Sequence, residues 1–208
     1  MASAGVKKYL GIYNAISAVL WGVTLVRLAI LYPLVGPEYV SEGVAPFLVW
    51  VQTLALLEVL HSAVGFVRSS PVTVAMQVAS RLFFVWGVIR LFPLSASHVV
   101  FSVMVAAWSI TEIVRYSYYW TQLRGSTPGW LEYIRYTFFI VLYPVGASSE
   151  AFLAYRALPA ANFFHPHWAL VMKVVLLIYP PAFYVLYSHM FKMRAKVLDP
   201  ARVPRKQQ

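Results

Sequence analysis

Residues 11–34, GIYNAISAVLWGVTLVRLAILYPL, carry a single charged side chain, Arg27. Crossing the hydrocarbon core of a bilayer takes roughly 20 mostly apolar residues, so this stretch alone predicts a membrane-spanning helix. Lys7 and Lys8 precede it as they would in a secretory leader, yet the run outlasts the apolar core of a cleavable leader, about 7–15 residues. It reads as a retained first helix. Five more stretches of the same kind follow, over 45–67, 72–93, 97–120, 131–155 and 168–191. Between them lie turn-forming or charged breaks: Gly36-Pro37-Glu38, Arg68-Ser69-Ser70-Pro71, Pro93 to Ser97, Arg124 to Gly129, and Leu158 to Pro166. Pro71 and Pro128 are suited to restart a helix at its first turn. The pattern predicts an all-α, polytopic six-helix membrane bundle, one domain over 1–208 with a basic tail at 192–208.

Composition agrees. The chain is 61% hydrophobic and 12% charged, far from the soluble average. Its basic excess, 17 Lys and Arg against 7 Asp and Glu, has no soluble domain from which to present a nucleic-acid-binding face, so that class is set aside. Basic residues at one bilayer surface, touching anionic lipid headgroups, account for it better. The absence of Cys removes disulfides and thiolate nucleophiles. No internal repeat is visible.

Six spans put both termini on one side. Lys7, Lys8, Arg68, Arg124 and the tail residues Lys192, Arg194, Lys196, Arg202, Arg205 and Lys206 fall there, with Arg115 and Arg135 at helix ends facing it and only Arg90 and Arg156 near the other surface. The positive-inside bias predicts cytosolic termini, with Glu38 and Glu42 in a loop on the far side.

An ionisable side chain at the bilayer centre costs at least about 2.5 kcal/mol, so each needs a partner or a role. Glu58, His61, Gly65 and Arg68 recur at helical spacing, as do Trp108, Glu112, Arg115 and Tyr119, and Glu132, Tyr136, Phe139, Tyr143, Gly146 and Glu150. Gln77 and Arg81, Asn14 and Arg27, and Lys173 add to the set. These stripes should face inward, either as structural pairs such as Glu58 with Arg81 or Glu112 with Arg115, or as a site. His61, His98, His165, His167 and His189 show no ligand spacing, and there is no phosphate-binding or dinucleotide fingerprint. Neither a metal nor a cofactor is expected. Tyr143 and Glu150 lie two turns apart, roughly 10 Å on an undisturbed helix. Pro144 removes a backbone donor and frees the carbonyl of Ile140, and Gly146 permits close approach. A kink there would make the phenol and the carboxyl a feasible acid and base; equally, it could serve packing alone.

The segment Arg135-Tyr136-Thr137-Phe138 followed by Leu142-Tyr143-Pro144-Val145-Gly146-Ala147-Ser148-Ser149-Glu150 resembles the signature of the very-long-chain 3-hydroxyacyl-CoA dehydratases, also called the protein-tyrosine-phosphatase-like family. Leu57-Glu58 with His61-Ser62, Gln77-Val78 with Ser80-Arg81, Ala107-Trp108-Ser109 with Thr111-Glu112-Ile113, and Tyr187 to Leu198 are similar to further parts of it. The resemblance runs from about Tyr9 to Leu198. It implies an endoplasmic-reticulum lyase that removes water from 3-hydroxyacyl-CoA in fatty-acid elongation, with Tyr143 and Glu150 as the catalytic pair. It also implies association with the condensing enzyme, the ketoreductase and the enoyl reductase of that cycle. The older name suggests a phosphatase, but a chain without Cys cannot run thiolate chemistry.

Dehydration needs a base at C2, an acid at the C3 hydroxyl and donors for the thioester oxygen. Glu150 suits the base and Tyr143 the acid, with the reverse assignment open. Arg81, holding Glu150 or the thioester, and Ser149, Gly146, Glu58, His61 and Glu112 are candidates for support. Arg68, Arg115, Arg124 and Arg135 are candidates for the CoA phosphates. The final Arg205-Lys206-Gln207-Gln208 is similar to a dilysine retrieval signal, although a generic basic tail reads the same way. Two other classes fit the architecture: a catalytically silent scaffold or lipid-binding adaptor, and a small transporter.

Overall fold

The structure is a computed structural model and describes residues 3–198; the signal read at Arg205 to Gln208, and Arg202 with it, lie outside the described residues. In chain order the elements are α1 (Ala4–Thr53), α2 (Leu56–Ala63), α3 (Pro71–Leu82), a π-helical segment (Phe83–Arg90), α4 (Pro93–Ala96), α5 (Val99–Leu123), α6 (Gly129–Arg135), α7 (Phe139–Phe164) and α8 (Pro166–Leu198). Among the described residues there is no strand.

Five helical stretches are long and apolar enough to cross a membrane, and the first, Ala4–Ala63, is 60 residues. At 1.5 Å per residue a straight helix of that length would reach about 90 Å, some three bilayer cores. It folds back instead. Gly36 has φ 78° and ψ 167°, a backbone state that a Cβ would oppose, and Pro37 restarts the helix at once. Arg27 Nη2 donates to the Gly43 carbonyl at 2.8 Å, and Tyr9 meets His61 at 2.9 Å. Both contacts join positions roughly equidistant from Gly36, as in an antiparallel hairpin. The doubled first stretch and the four that follow make six crossings, as the sequence predicts. The expected loop between 34 and 45 is absent, because one glycine makes the reversal. Glu38 and Glu42 therefore stand exposed on helix beside the turn.

α5 is the central helix. Its Phe101, Met104 and Val105 are fully enclosed, along with Val40, Val44 and Leu48 on the second arm of α1 and Leu153 on α7. Ala154, Ala157 and Ala161 line the buried face of α7, and small side chains at this spacing let helices approach where lipid supplies no hydrophobic drive. Leu170, Val174, Leu177, Ile178 and Val185 of α8 lie exposed. In water they would form an apolar patch of the kind soluble proteins avoid; here they face lipid.

The π-helical segment fits α8 against the bundle. Trp168 Nε1 donates to the Gly87 carbonyl at 3.1 Å, and a Cβ on Gly87 would stand 2.8 Å from Trp168 Cζ2. The widened turns thus leave a carbonyl reachable by a side chain from another span.

The fifth span departs from expectation in two places. Its break falls at residues 136–138, between α6 and α7, and the helix continues through Pro144. The carbonyl that Pro144 frees, that of Ile140, accepts a hydrogen bond from the Tyr187 hydroxyl at 2.9 Å. A neighbouring helix satisfies the orphan group, and no local kink is needed to expose it. Past the expected limit at 155, α7 runs through Pro159 to Phe164, and α8 begins at Pro166 after the single residue His165.

Candidate active site

Four helices converge on Glu150. From α5, Trp108 Nε1 donates to Glu150 Oε1 at 2.8 Å; from α8, the Tyr179 hydroxyl donates to Oε2. Both carboxyl oxygens are therefore engaged. One turn earlier on α7, buried Gly146 faces the same indole, and a Cβ there would lie 3.6 Å from Trp108 Cδ1. That is ordinary contact, so the close approach inferred for Gly146 leaves room for a methyl group. Ser149 is buried with its hydroxyl returned to the Val145 carbonyl at 2.7 Å.

The Arg81 guanidinium of α3 lies over the Trp108 ring, 4.9 Å from its centroid. Its Nη1 donates to Glu112 Oε1 at 2.6 Å. Arg115 donates through Nε to Glu112 Oε2 at 2.6 Å, and through Nη1 and Nη2 to the two oxygens of Glu58 at 2.8 and 2.9 Å. Tyr116 also donates to Glu58. Two guanidinium groups thus face two carboxylates, a balance that offsets the desolvation of bringing such groups indoors. His61 sits at the outer end, bonded to Tyr9 and edge-on to Tyr13.

Of the two pairs read from the sequence, Glu112 with Arg115 is present and Glu58 with Arg81 is not. The three-residue spacing on α5 sets Arg115 between Glu112 and the neighbouring α2, where it takes Glu58, while Arg81 arrives on the other oxygen of Glu112. This occupation leaves Arg115 unsuited to a CoA phosphate. Arg68 and Arg124 are exposed and Arg135 is half-buried. Lys173 is exposed on α8; Asn14 bonds within its own helix, to the Leu10 carbonyl at 2.8 Å.

A cavity of about 180 Å³ opens between the third span, α7 and α8, with Ser80, Phe83, Phe84, Met172, Glu150 and Tyr179 in its wall. Apolar cavities of about 150 Å³ hold a benzene-sized ligand, so this one admits a segment of hydrocarbon. It presents a carboxyl and a phenol on a largely apolar surface. Tyr143 is not in that wall. Its ring stacks on Phe183 and Tyr187, at centroid distances of 5.1 and 6.0 Å. Since α7 stays helical at Pro144, the two-turn separation from Glu150 remains about 10 Å along the axis.

Tyr179 is the residue that sequence reasoning missed. A signal for it exists: Met172, Val175, Leu176 and Tyr179 follow the helical period along one face of α8 and line the cavity together, and only Tyr179 among them is polar. Trp108 stood on the polar stripe of α5 with no role attached.

The family model described as protein tyrosine phosphatase-like protein, PTPLA, matches residues 52–200. A Schizosaccharomyces pombe protein named as a probable very-long-chain (3R)-3-hydroxyacyl-CoA dehydratase is 42% identical over 193 residues, covering 91% of this chain and 92% of its own length. The rice very-long-chain (3R)-3-hydroxyacyl-CoA dehydratase PASTICCINO 2A is 37% identical, covering 97% and 98%. Human very-long-chain (3R)-3-hydroxyacyl-CoA dehydratase 2 is 37% identical, covering 92% and 81%. No solved structure matches the chain.

Proposed function

The chain belongs to the protein tyrosine phosphatase-like, PTPLA, family, and from that premise we propose that it dehydrates very-long-chain (3R)-3-hydroxyacyl-CoA to the trans-2-enoyl-CoA. Glu150 takes the proton from C2, the C3–O bond breaks, and Tyr143 gives its hydroxyl proton to the departing oxygen, which leaves as water. Proton return from Glu150 to the tyrosinate closes the cycle. Arg81, anchored on Glu112 and Trp108, is the donor we assign to the thioester oxygen.

The observation that carries this reading is the setting of Glu150: a carboxyl held at both oxygens by N–H and O–H donors, in the wall of a cavity fit for an acyl chain. Such a group is arranged as a proton acceptor. Trp108 stands nine residues from Val99 and fifteen from Leu123 on α5, so Glu150 is near mid-depth, about 22 Å from the Leu123 end. CoA remains at the surface and the thioester reaches inward, with Arg68, Arg124 and Arg135 the residues proposed for its phosphates. The basic asymmetry supports an endoplasmic-reticulum orientation with both termini cytosolic. There the chain would perform the dehydration step of elongation beside the condensing enzyme, ketoreductase and enoyl reductase.

The test is turnover of a purified 3-hydroxyacyl-CoA by wild type, Glu150→Gln and Tyr143→Phe. Both variants are expected to remain folded and to lose turnover. A variant that stays folded with near-wild-type rates removes its residue from the chemistry.

A further inference from the structure

Glu150 has two donors, and they are not equivalent. Trp108 belongs to the central helix, with the Arg81 guanidinium over its ring and Gly146 facing it from α7. Tyr179 belongs to α8, which leaves most of its surface exposed and buries only Ala169 and Met172. The hydroxyl of Tyr179 nonetheless reaches across to Oε2 of Glu150 and shares the cavity wall with it. Immediately after it come Pro180 and Pro181. Neither has an amide hydrogen to return to the preceding turn, so the backbone around Tyr179 is shaped by the sequence at the point where the phenol must aim inward.

A carboxylate that abstracts a proton from carbon needs a fixed lone-pair direction, because misplacement by even 1 Å can lower the rate about a hundredfold. Trp108 alone fixes one oxygen and leaves the carboxyl free to rotate about its Cγ–Cδ bond. A second donor on the other oxygen removes that rotation.

We infer that Tyr179 is a positioning residue for Glu150, holding the carboxyl plane so that one lone pair faces the C2–H bond of a substrate whose acyl chain occupies the cavity between α3, α7 and α8. The inference rests on the reading of Glu150 as the base. It assigns to α8 the orientation of the base, which stands between a donor on the central helix α5 and an outer one on α8. Tyr143 retains the separate task of protonating the leaving hydroxyl.

The experiment uses the full-length chain in lipid nanodiscs, with a 3-hydroxyacyl-CoA supplied as both the protiated and the 2,2-dideuterated compound. Tyr179→Phe keeps the ring and removes only the donor. Its turnover is expected to fall roughly 10- to 100-fold, the range set by losing one hydrogen bond to a charged partner, with KM changed less than threefold. The deuterium effect on kcat/KM is expected to rise, since proton abstraction then limits the reaction more fully. A purely structural role would lower the amount of folded, monodisperse enzyme and leave the isotope effect where it was. Tyr179→Phe with wild-type turnover, or with reduced turnover and an unchanged isotope effect, overturns the inference. Glu150→Gln, measured alongside, separates the two levels: if it turns over normally, the reading of Glu150 has failed; if it is inactive while Tyr179→Phe is normal, only the role of Tyr179 has.

Discussion

Replacing Arg115 with Met withdraws the cation that Glu58 and Glu112 share. Three charge-assisted hydrogen bonds go with it, at 2.6, 2.8 and 2.9 Å, while methionine keeps much of the apolar stem. Glu112 retains Arg81, and Glu58 is left with the phenols of Tyr116 and Tyr13. Two carboxylates then face one guanidinium. Deleting one partner of a buried ion pair costs about 3–5 kcal/mol. The Glu58 side chain is 20% exposed, which lets water and protonation relieve part of the loss, so the low end, about 3 kcal/mol, is expected. At roughly 2–4 °C per kcal/mol for a chain of this size, the melting temperature should drop by about 6–12 °C. The assay is thermal unfolding of Arg115→Met, Glu58→Gln and the double variant in one detergent. Since Glu58→Gln neutralises the stranded carboxylate, the double variant should melt closer to wild type than Arg115→Met does. An Arg115→Met protein melting within about 2 °C of wild type, or a double variant no better than the single, would refute charge balance as the basis of this cluster.

Other substitutions probe the site and its packing. Trp108→Phe preserves a ring beneath Arg81 and against Gly146 but removes the donor to Glu150 Oε1; turnover should fall about tenfold or more, with melting little changed, as read by steady-state kinetics beside thermal unfolding. Gly87→Ala places a Cβ 2.8 Å from the Trp168 ring and should destabilise by about 1–3 kcal/mol. Gly146→Ala meets Trp108 only at 3.6 Å, so its melting temperature should stay near wild type, and equal losses in the two variants would contradict the packing described.

The crossings were readable because the constraint behind them is local: enough apolar residues in succession, ended by glycine, proline or charge. Even the reversal at Gly36 lay within a break identifiable from Gly36-Pro37, although its tightness did not, since the backbone angle belongs to one residue. Helical spacing also told which side chains share a face, as with Trp108, Glu112 and Arg115. It could not tell which face meets which, because that depends on the rotation of each helix against its neighbours. Hence Arg81 could be assigned to Glu58 on paper while reaching Glu112 in the fold. Pro144 shows the same limit. Its freed carbonyl was evident from the sequence, but the hydroxyl that satisfies it belongs to Tyr187, on another span, and that partner decides whether the chain bends. Tyr179 stayed hidden because one tyrosine on a long apolar helix looks like an interfacial anchor until its face is known to be the one turned inward.

From Glu58 the contacts pass through Arg115, Glu112, Arg81 and Trp108 to Glu150 without a gap. An alanine scan scored on product alone would therefore flag side chains several links from any reacting atom, each by loosening the next, and would overcount the chemistry. Scoring abundance beside output should divide the chain into two parts: under the proposed function, losses at the Glu58 end are expected to follow the quantity of intact enzyme, and losses at the Glu150 end the rate per molecule.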